Sequence, residues 1–256
     1  MKDIILYEFP LNERIRLFIR LEQLFSQFDH FMAGHSIWDS RMVVATLVDI
    51  VGVFGRNDLK AETLQEIERQ SAVLNKMARL GAGVDATKLA EILARLDAVG
   101  KQLYARSGKV GLSLQEEELF KSISQRSSIP GGTCSFDSPA YYHWLYRDED
   151  ERRRDIEAWV QPLLEIRSAI DILLNFIRSS AMPVQEVAIG GFFQKTLDHS
   201  LAYQLLRVGV PRSSPYFAEI SGGKHRFTIR FMRRDLNQRA MQISGDIEFQ
   251  LTCCLF

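Results

Sequence analysis

The residues whose types and spacing carry the most chemistry lie in one short run, Lys224-His225-Arg226-Phe227-Thr228-Ile229-Arg230-Phe231-Met232. Successive side chains of a strand point to opposite faces. Phe227, Ile229 and Phe231 therefore share one face, and Arg226, Thr228 and Arg230 the other, with Lys224 continuing the basic row at the strand's start. One face reads as core and the other as a basic track. At roughly 3.3 Å per residue the two arginines stand about 13 Å apart, a separation suited to an extended acidic peptide or to two phosphates. A plainer reading stays open, in which the arginines pair with carboxylates on neighbouring strands, such as Glu248, on a solvated face. RNA-binding sheets stack bases on aromatic rings of the exposed face. Here the aromatic residues share the buried face, which weakens the alternative of a nucleic-acid-binding adaptor.

Other candidate chemistry is thinner. Gly222-Gly223-Lys224 lacks the Ser or Thr and the helix that a phosphate loop requires, because His225 and a strand follow. The five histidines (His30, His35, His143, His199, His225) include no i, i+4 pair and no His-Glu-x-x-His, so a metal site would need distant segments. Cys134 sits in a Gly-rich loop where a nucleophile could be placed, yet a small residue filling a turn explains it better. No Gly-x-Ser-x-Gly elbow occurs. The sequence points to a binding protein, not an enzyme, with no cofactor and no metal.

These residues belong to a chain of 256 residues, 46% apolar and 25% charged, the composition of an ordinary globular protein. Bases and acids balance at 32 each, which argues against broad phosphate-neutralising nucleic-acid binding. The distribution is uneven: Arg207 to Arg239 holds eight bases (Arg207, Arg212, Lys224, Arg226, Arg230, Arg233, Arg234, Arg239) against Glu219 and Asp235, so an anionic partner should dock there. The longest run without a formal charge is ten residues, Ser127 to Phe136, far from a membrane span. The first residues offer no signal-peptide core, so a cytosolic protein without membrane insertion is expected. Cys134, Cys253 and Cys254 are badly spaced for disulfides and read as reduced packing thiols.

Apolar residues recur at helical spacing through the first 180 residues. Asn12 caps a helix whose apolar stripe is Ile15, Phe18, Leu21, Phe25 and Phe28. Ser36 with Asp39 starts a second, with Val44, Leu47, Val48 and Val51, and Asp58 a third that stops at Gly81-Ala82-Gly83. Asp85 starts a fourth, ending near Gly108, and Ser113 with Glu116 forms a capping box for a fifth, ending near Arg126. Ser138-Pro139 opens a helix carrying Tyr141, Tyr142, Trp144 and Leu145. A last stretch, Arg152 to Ser179, should break at Pro162, and the charges of Asp148 to Asp155 read as its solvated start. Beyond Pro183 the period falls to two, and strands are expected near Val187 to Phe193, Leu201 to Val208, Tyr216 to Ile220, Arg226 to Met232 and Ile247 to Leu255. Ile4 to Phe9 alternates and should join them. The fold expected is α+β, with a helical domain at 11–180 and an antiparallel sheet domain at 1–10 plus 181–256.

Three segments together resemble one family. They are Glu8-Phe9-Pro10-Leu11-Asn12-Glu13 followed by Arg16 and Arg20-Leu21-Glu22, then Ser128-Ile129-Pro130-Gly131-Gly132-Thr133-Cys134-Ser135-Phe136-Asp137, then Ser221-Gly222-Gly223 running through Met232, closed by Cys253-Cys254. In order and spacing, along essentially the whole chain, they are similar to the ZapD family of bacterial Z-ring-associated proteins. The resemblance implies a non-enzymatic cytoplasmic homodimer at the midcell division site that binds the C-terminal tail of the tubulin-like GTPase FtsZ and bundles its filaments. It also implies that Arg226 and Arg230, with Lys224 and His225 beside them, form the basic strand that takes the tail. Arg56 at the end of the second helix matches a basic position lining the same pocket, and Arg20 matches another, although helix ion pairs with neighbouring acids also explain Arg20. The family can carry His in the helix after the Phe-Asp turn, where this chain has Tyr142 beside His143, and a base near Glu118, which is acidic here.

Overall fold

A computed structural model describes residues 3–56, 58–80, 86–105, 110–223, 225–234 and 239–255. The chain adopts the expected α+β fold, helices first and antiparallel strands last, in two compact units. One spans residues 19–173; the other joins residues 1–18 to 174–256 and holds every described strand.

The helices are α1 (Glu13–Met32), α2 (Ile37–Arg56), α3 (Leu59–Leu80), α4 (Ala86–Ala105), α5 (Leu112–Glu116), α6 (Glu118–Arg126), α7 (Pro139–Leu145), α8 (Glu149–Val160) and α9 (Leu164–Ser179). A 3-10 turn, Gln161–Leu163, separates the last two at the expected Pro162 break. Most starts follow the capping chemistry. Asn12 Oδ1 accepts from the Ile15 amide at 2.9 Å, and Asp58 Oδ1 from Ala61 at 3.1 Å. Ser36 and Asp39 bond reciprocally, and the hydrogen bonds from the Ser36 side chain and backbone hold the Asp39 carboxyl below its usual range. Ile15, Phe18, Leu21, Phe25 and Phe28 are all buried, as their spacing predicts. The expected boundaries at Gly81-Ala82-Gly83, Asp85 and Gly108 lie outside the described residues.

Two expectations are corrected in the helices. The helix ending at Arg126 is capped by Glu117, whose carboxylate accepts from the Phe120 amide, and not by Ser113; extended backbone at Glu117 (ψ 123°) separates α5 from α6. The run Asp148 to Asp155 is not simply solvated. Arg152 within it is buried, and its guanidinium donates to Ser40 Oγ at 3.1 Å and to the carbonyls of Arg147 and His35 at 2.5 and 3.3 Å.

The strands are β1 (Ile4–Pro10), β2 (Val184–Ala188), β3 (Phe192–Thr196), β4 (Tyr203–Pro211), β5 (Phe217–Gly222), β6 (Arg226–Arg233), β7 (Met241–Gln242) and β8 (Ile247–Leu255). They form two antiparallel sheets in place of the single one expected. The first has the order β1-β4-β8-β2 and the second β3-β6-β5, with β7 also pairing β6. β1 joins the first sheet as anticipated, with Ile4 opposite Pro211 through to Pro10 opposite Leu205. The two sheets share one core: Leu206, Val208, Phe249 and Leu251 from the first, with Phe227, Ile229 and Phe231 from the second. The layers are therefore those of a β-sandwich. The expected strand Val187 to Phe193 is instead a tight hairpin, in which Gly190 (φ 56°) and Gly191 (φ 69°) take the left-handed backbone that a two-residue turn requires. Its arms feed different sheets, β2 the first and β3 the second.

A charge cluster ties β1 down. Glu8 accepts from Arg178 at 2.8 and 2.6 Å through both carboxylate oxygens, and from Arg207 Nε at 2.9 Å. The three side chains are only 16, 19 and 22% exposed. Neutralising the carboxylate takes from both guanidiniums the anion they share, and loss of a buried ion-pair partner costs about 3–5 kcal/mol when burial is complete. Glu8→Gln should therefore destabilise the protein by about 2–4 kcal/mol, read as a shift of the urea midpoint. A midpoint within 0.3 M of wild type would show the cluster to be dispensable.

The adjacent cysteines split between faces. Cys253 packs against the sandwich core and Cys254 is fully buried, and both are free thiols. Burial pushes the Cys254 thiol up to about 11 and raises that of Cys253, which makes both poor nucleophiles.

Candidate functional site

The second sheet turns one face to the core and the other outward, and β6 runs through its middle. Phe227, Ile229 and Phe231 are 1, 0 and 0% exposed, while Arg226 and Arg230 are exposed. Among the described residues neither guanidinium has a hydrogen-bond or ion-pair partner. The carboxylate suggested as a partner, Glu248, lies on β8 in the first sheet opposite Val187. The acid directly across from Arg230 is Glu219 of β5, on the same outer face. Their pairing is by register, with no ion pair between them among the described residues.

Cross-strand register fills in the rest of this face. Arg230 has Phe192 of β3 on its other side; Thr228 lies between Gln194 and Ser221; Arg226 faces Thr196. The Ser221 and Thr228 hydroxyls are 2.8 Å apart and bond each other. Beyond Arg230 the strand continues to Met232, flanked by Phe217 and Gln242. Phe192, Phe217 and Glu219 were not recognisable from the sequence as neighbours of the arginines, because register between separate strands leaves no local signature.

At the other end of β6 the chain turns back to β5. Gly222 sits opposite Phe227, where an added Cβ would fall 2.5 Å from the Phe227 Cβ, so its glycine is a requirement of the hairpin and not of a phosphate. His225 lies in that turn, exposed; its carbonyl accepts from the Leu197 amide at 2.8 Å, and its ring is tilted against that of His199 with centroids 4.3 Å apart. Ser221, Gly222, Gly223, His225, Arg226 and Thr228 border a shallow open depression. Lys224 lies outside the described residues.

The remaining sequence candidates belong to the helical unit. Arg20 is exposed on α1 and, among the described residues, has no ion pair, although its neighbour Arg16 bonds Glu13 at 2.8 Å. Arg56 is the last residue of α2, and its side chain lies outside the described residues. Tyr142 and His143 are exposed on α7, with the Tyr142 hydroxyl donating to that of Tyr146 at 3.3 Å. Glu118 is exposed in the first turn of α6, where the helix dipole favours an acid over a base. Cys134 is half-buried in a chain of tight turns, its thiol 3.5 Å from Asp137 Oδ2.

The basic stretch Arg207 to Arg239 is less uniformly available than its composition suggests. Arg207 is spent on Glu8, and Arg212 pairs with Asp3 at 2.9 Å. What is left for an anion among the described residues centres on β6. No group of three His, Cys, Asp or Glu side chains among the described residues is placed to hold a metal, and no described helix is long and apolar enough to cross a membrane.

The sequence pattern of the ZapD family, described as a cell division protein, matches residues 19–230. The cell division protein ZapD of Methylococcus capsulatus is 52% identical over 255 residues, covering 100% of both chains. Its namesakes in Aromatoleum aromaticum and Azoarcus sp. are 38% and 39% identical, over 99% and 97% of this chain and 98% of each of theirs. With the family pattern spanning most of the chain and relatives aligning end to end, this protein belongs to the ZapD family of cell division proteins.

Proposed function

We infer that the protein binds the acidic C-terminal tail of FtsZ on the outer face of its second sheet and, as a homodimer, joins neighbouring FtsZ filaments. The observation that carries this reading is the pair of exposed guanidiniums of Arg226 and Arg230, without a hydrogen-bond or ion-pair partner among the described residues, above a fully buried Phe227-Ile229-Phe231 row. A surface ion pair would use up such a charge; with none among the described residues, each guanidinium can make charge-assisted hydrogen bonds to a carboxylate. The role is one of binding without catalysis, carried out in the cytoplasm at midcell.

Bundling adds a mechanical requirement. A monomer with one tail site coats filaments but cannot link two of them. Two sites in a dimer are the least that can, and avidity lets each be weak because the second contact becomes effectively intramolecular. Light scattering at micromolar concentration should therefore give twice the 29.3 kDa chain mass. Pull-down should retain full-length FtsZ and its tail peptide and lose FtsZ truncated at the C-terminus. A monomer mass, or equal capture of the truncated form, would overturn the mechanism. Binding of DNA at physiological salt in the same assay would favour the nucleic-acid adaptor instead.

A further inference from the structure

The outer face of the second sheet changes character along β6. Toward the end of the strand, Met232 lies beside Phe217, and Phe192 flanks Arg230 one row earlier. Phe193, the neighbour of Phe192, packs inward with its ring 5.2 Å from Phe249, so strand alternation sends Phe192 outward, where it is 36% exposed. Met232 and Phe217 are half-buried on the same side. Toward the start of the strand the face holds Arg230, Thr228 and Arg226, bordered by Gln194, Ser221 and Thr196. The row is thus apolar at one end and cationic at the other. From Arg226 to Met232 it extends about 20 Å, the length of roughly seven extended residues.

We propose that Phe192, Phe217 and Met232 form an apolar platform that fixes the direction and specificity of peptide binding on this face. Its occupant is an extended acidic peptide with apolar side chains at one end. The proposal rests on the reading that Arg226 and Arg230 bind an acidic tail, and adds to it a rule of order. Carboxylates engage the two guanidiniums, and the peptide's apolar end lies over Phe192 and Met232. Charge complementarity selects the acidic half, while burial of apolar surface selects the other. Glu219, opposite Arg230, turns away a carboxylate on the β5 side and keeps the acidic run over β6. A basic row by itself would accept an acidic peptide in either direction; the platform makes the two ends inequivalent.

Fluorescence anisotropy with a labelled FtsZ tail peptide tests this directly. Phe192→Ala and Met232→Thr should each weaken binding about five- to tenfold, as expected for losing a buried apolar contact. Phe192→Leu should restore most of the loss. The dependence of affinity on salt should be unchanged in these variants, because apolar contacts are not screened. A peptide of the same composition with its apolar and acidic halves exchanged should bind wild type about tenfold more weakly. Circular dichroism melts that coincide with wild type will show that Phe192→Ala has left the fold alone. If Phe192→Ala and Met232→Thr bind as wild type does while Arg230→Glu does not, the basic row acts alone and the platform is refuted. If wild type fails to bind, or if Arg226→Glu and Arg230→Glu bind normally, the underlying tail-binding reading fails and the platform with it.

Discussion

Phe231→Ala should lower the stability of the protein by about 3–5 kcal/mol, the range for truncating a buried aromatic residue. The ring is fully buried between the two sheets, meeting Phe249 of the first sheet at 5.1 Å and Tyr216 edge-on at 5.7 Å. Truncation deletes the transfer energy of the ring, leaves a cavity that rigid neighbouring strands cannot close, and removes aromatic contacts that span the sandwich. Phe227→Ala should act in the same direction, its ring lying 6.3 Å from that of Phe193. Arg230→Ala, one residue from Phe231 on the opposite face, should stay within about 0.5 kcal/mol of wild type. Urea unfolding followed by circular dichroism separates the two faces of one strand in a single series. Equal midpoints for Phe231→Ala and Arg230→Ala would show that the apolar row is not the core of the sandwich.

That strand was legible because its sequence alternates from Arg226 to Phe231 and its two faces meet opposite environments. The helix stripes were legible for the same reason, at a different period: Ile15, Phe18, Leu21, Phe25 and Phe28 are all buried. Local chemistry carried Asn12, Ser36 and Asp58, whose side chains bond amides within three residues. It misled at Ser113, where the capping-box pattern is present but Glu117 caps the helix that reaches Arg126. The run Val187 to Phe193 resembles one strand because β-branched and aromatic residues flank its centre, although Gly190-Gly191 there is a hairpin signal in its own right.

Long-range pairing was out of reach. Glu8 and Arg178 are 170 residues apart, and nothing near either announces the other. Two sheets in place of one follow from β2 and β3 parting company after their turn, a property of the sandwich and not of either segment. The same limit applies at the site. Arg226 and Arg230 could be named from β6 alone, whereas Phe192, Phe217 and Glu219 sit beside them only once β3 and β5 are in register. Glu248 lies away from the arginines for the same reason, since its strand belongs to the other sheet.

Arg226→Glu or Arg230→Glu should abolish binding of the FtsZ tail and bundling of FtsZ filaments while leaving the dimer and its thermal midpoint nearly unchanged. Loss of one hydrogen bond to a charged group costs about 1.5–3 kcal/mol, roughly ten- to a hundredfold in affinity. Reversal adds repulsion to that loss, because a carboxylate of the tail would then face a carboxylate on β6. The fold should tolerate both changes: each guanidinium is exposed, and its replacement breaks no hydrogen bond or ion pair among the described residues. Arg230→Glu also brings a second acid opposite Glu219, a like-charge cross-strand pair that costs a few tenths of a kcal/mol, up to about 1. Arg226→Glu faces Thr196 and lacks that penalty, which makes it the cleaner of the two. Wild-type binding should weaken as salt is added, the Debye length being about 8 Å at physiological ionic strength. Sedimentation of FtsZ bundles, scored beside light scattering of each variant, decides the matter. Intact bundling by both variants, or unfolding of both as in the Phe231 series, would assign the basic row a structural role and move the tail site elsewhere.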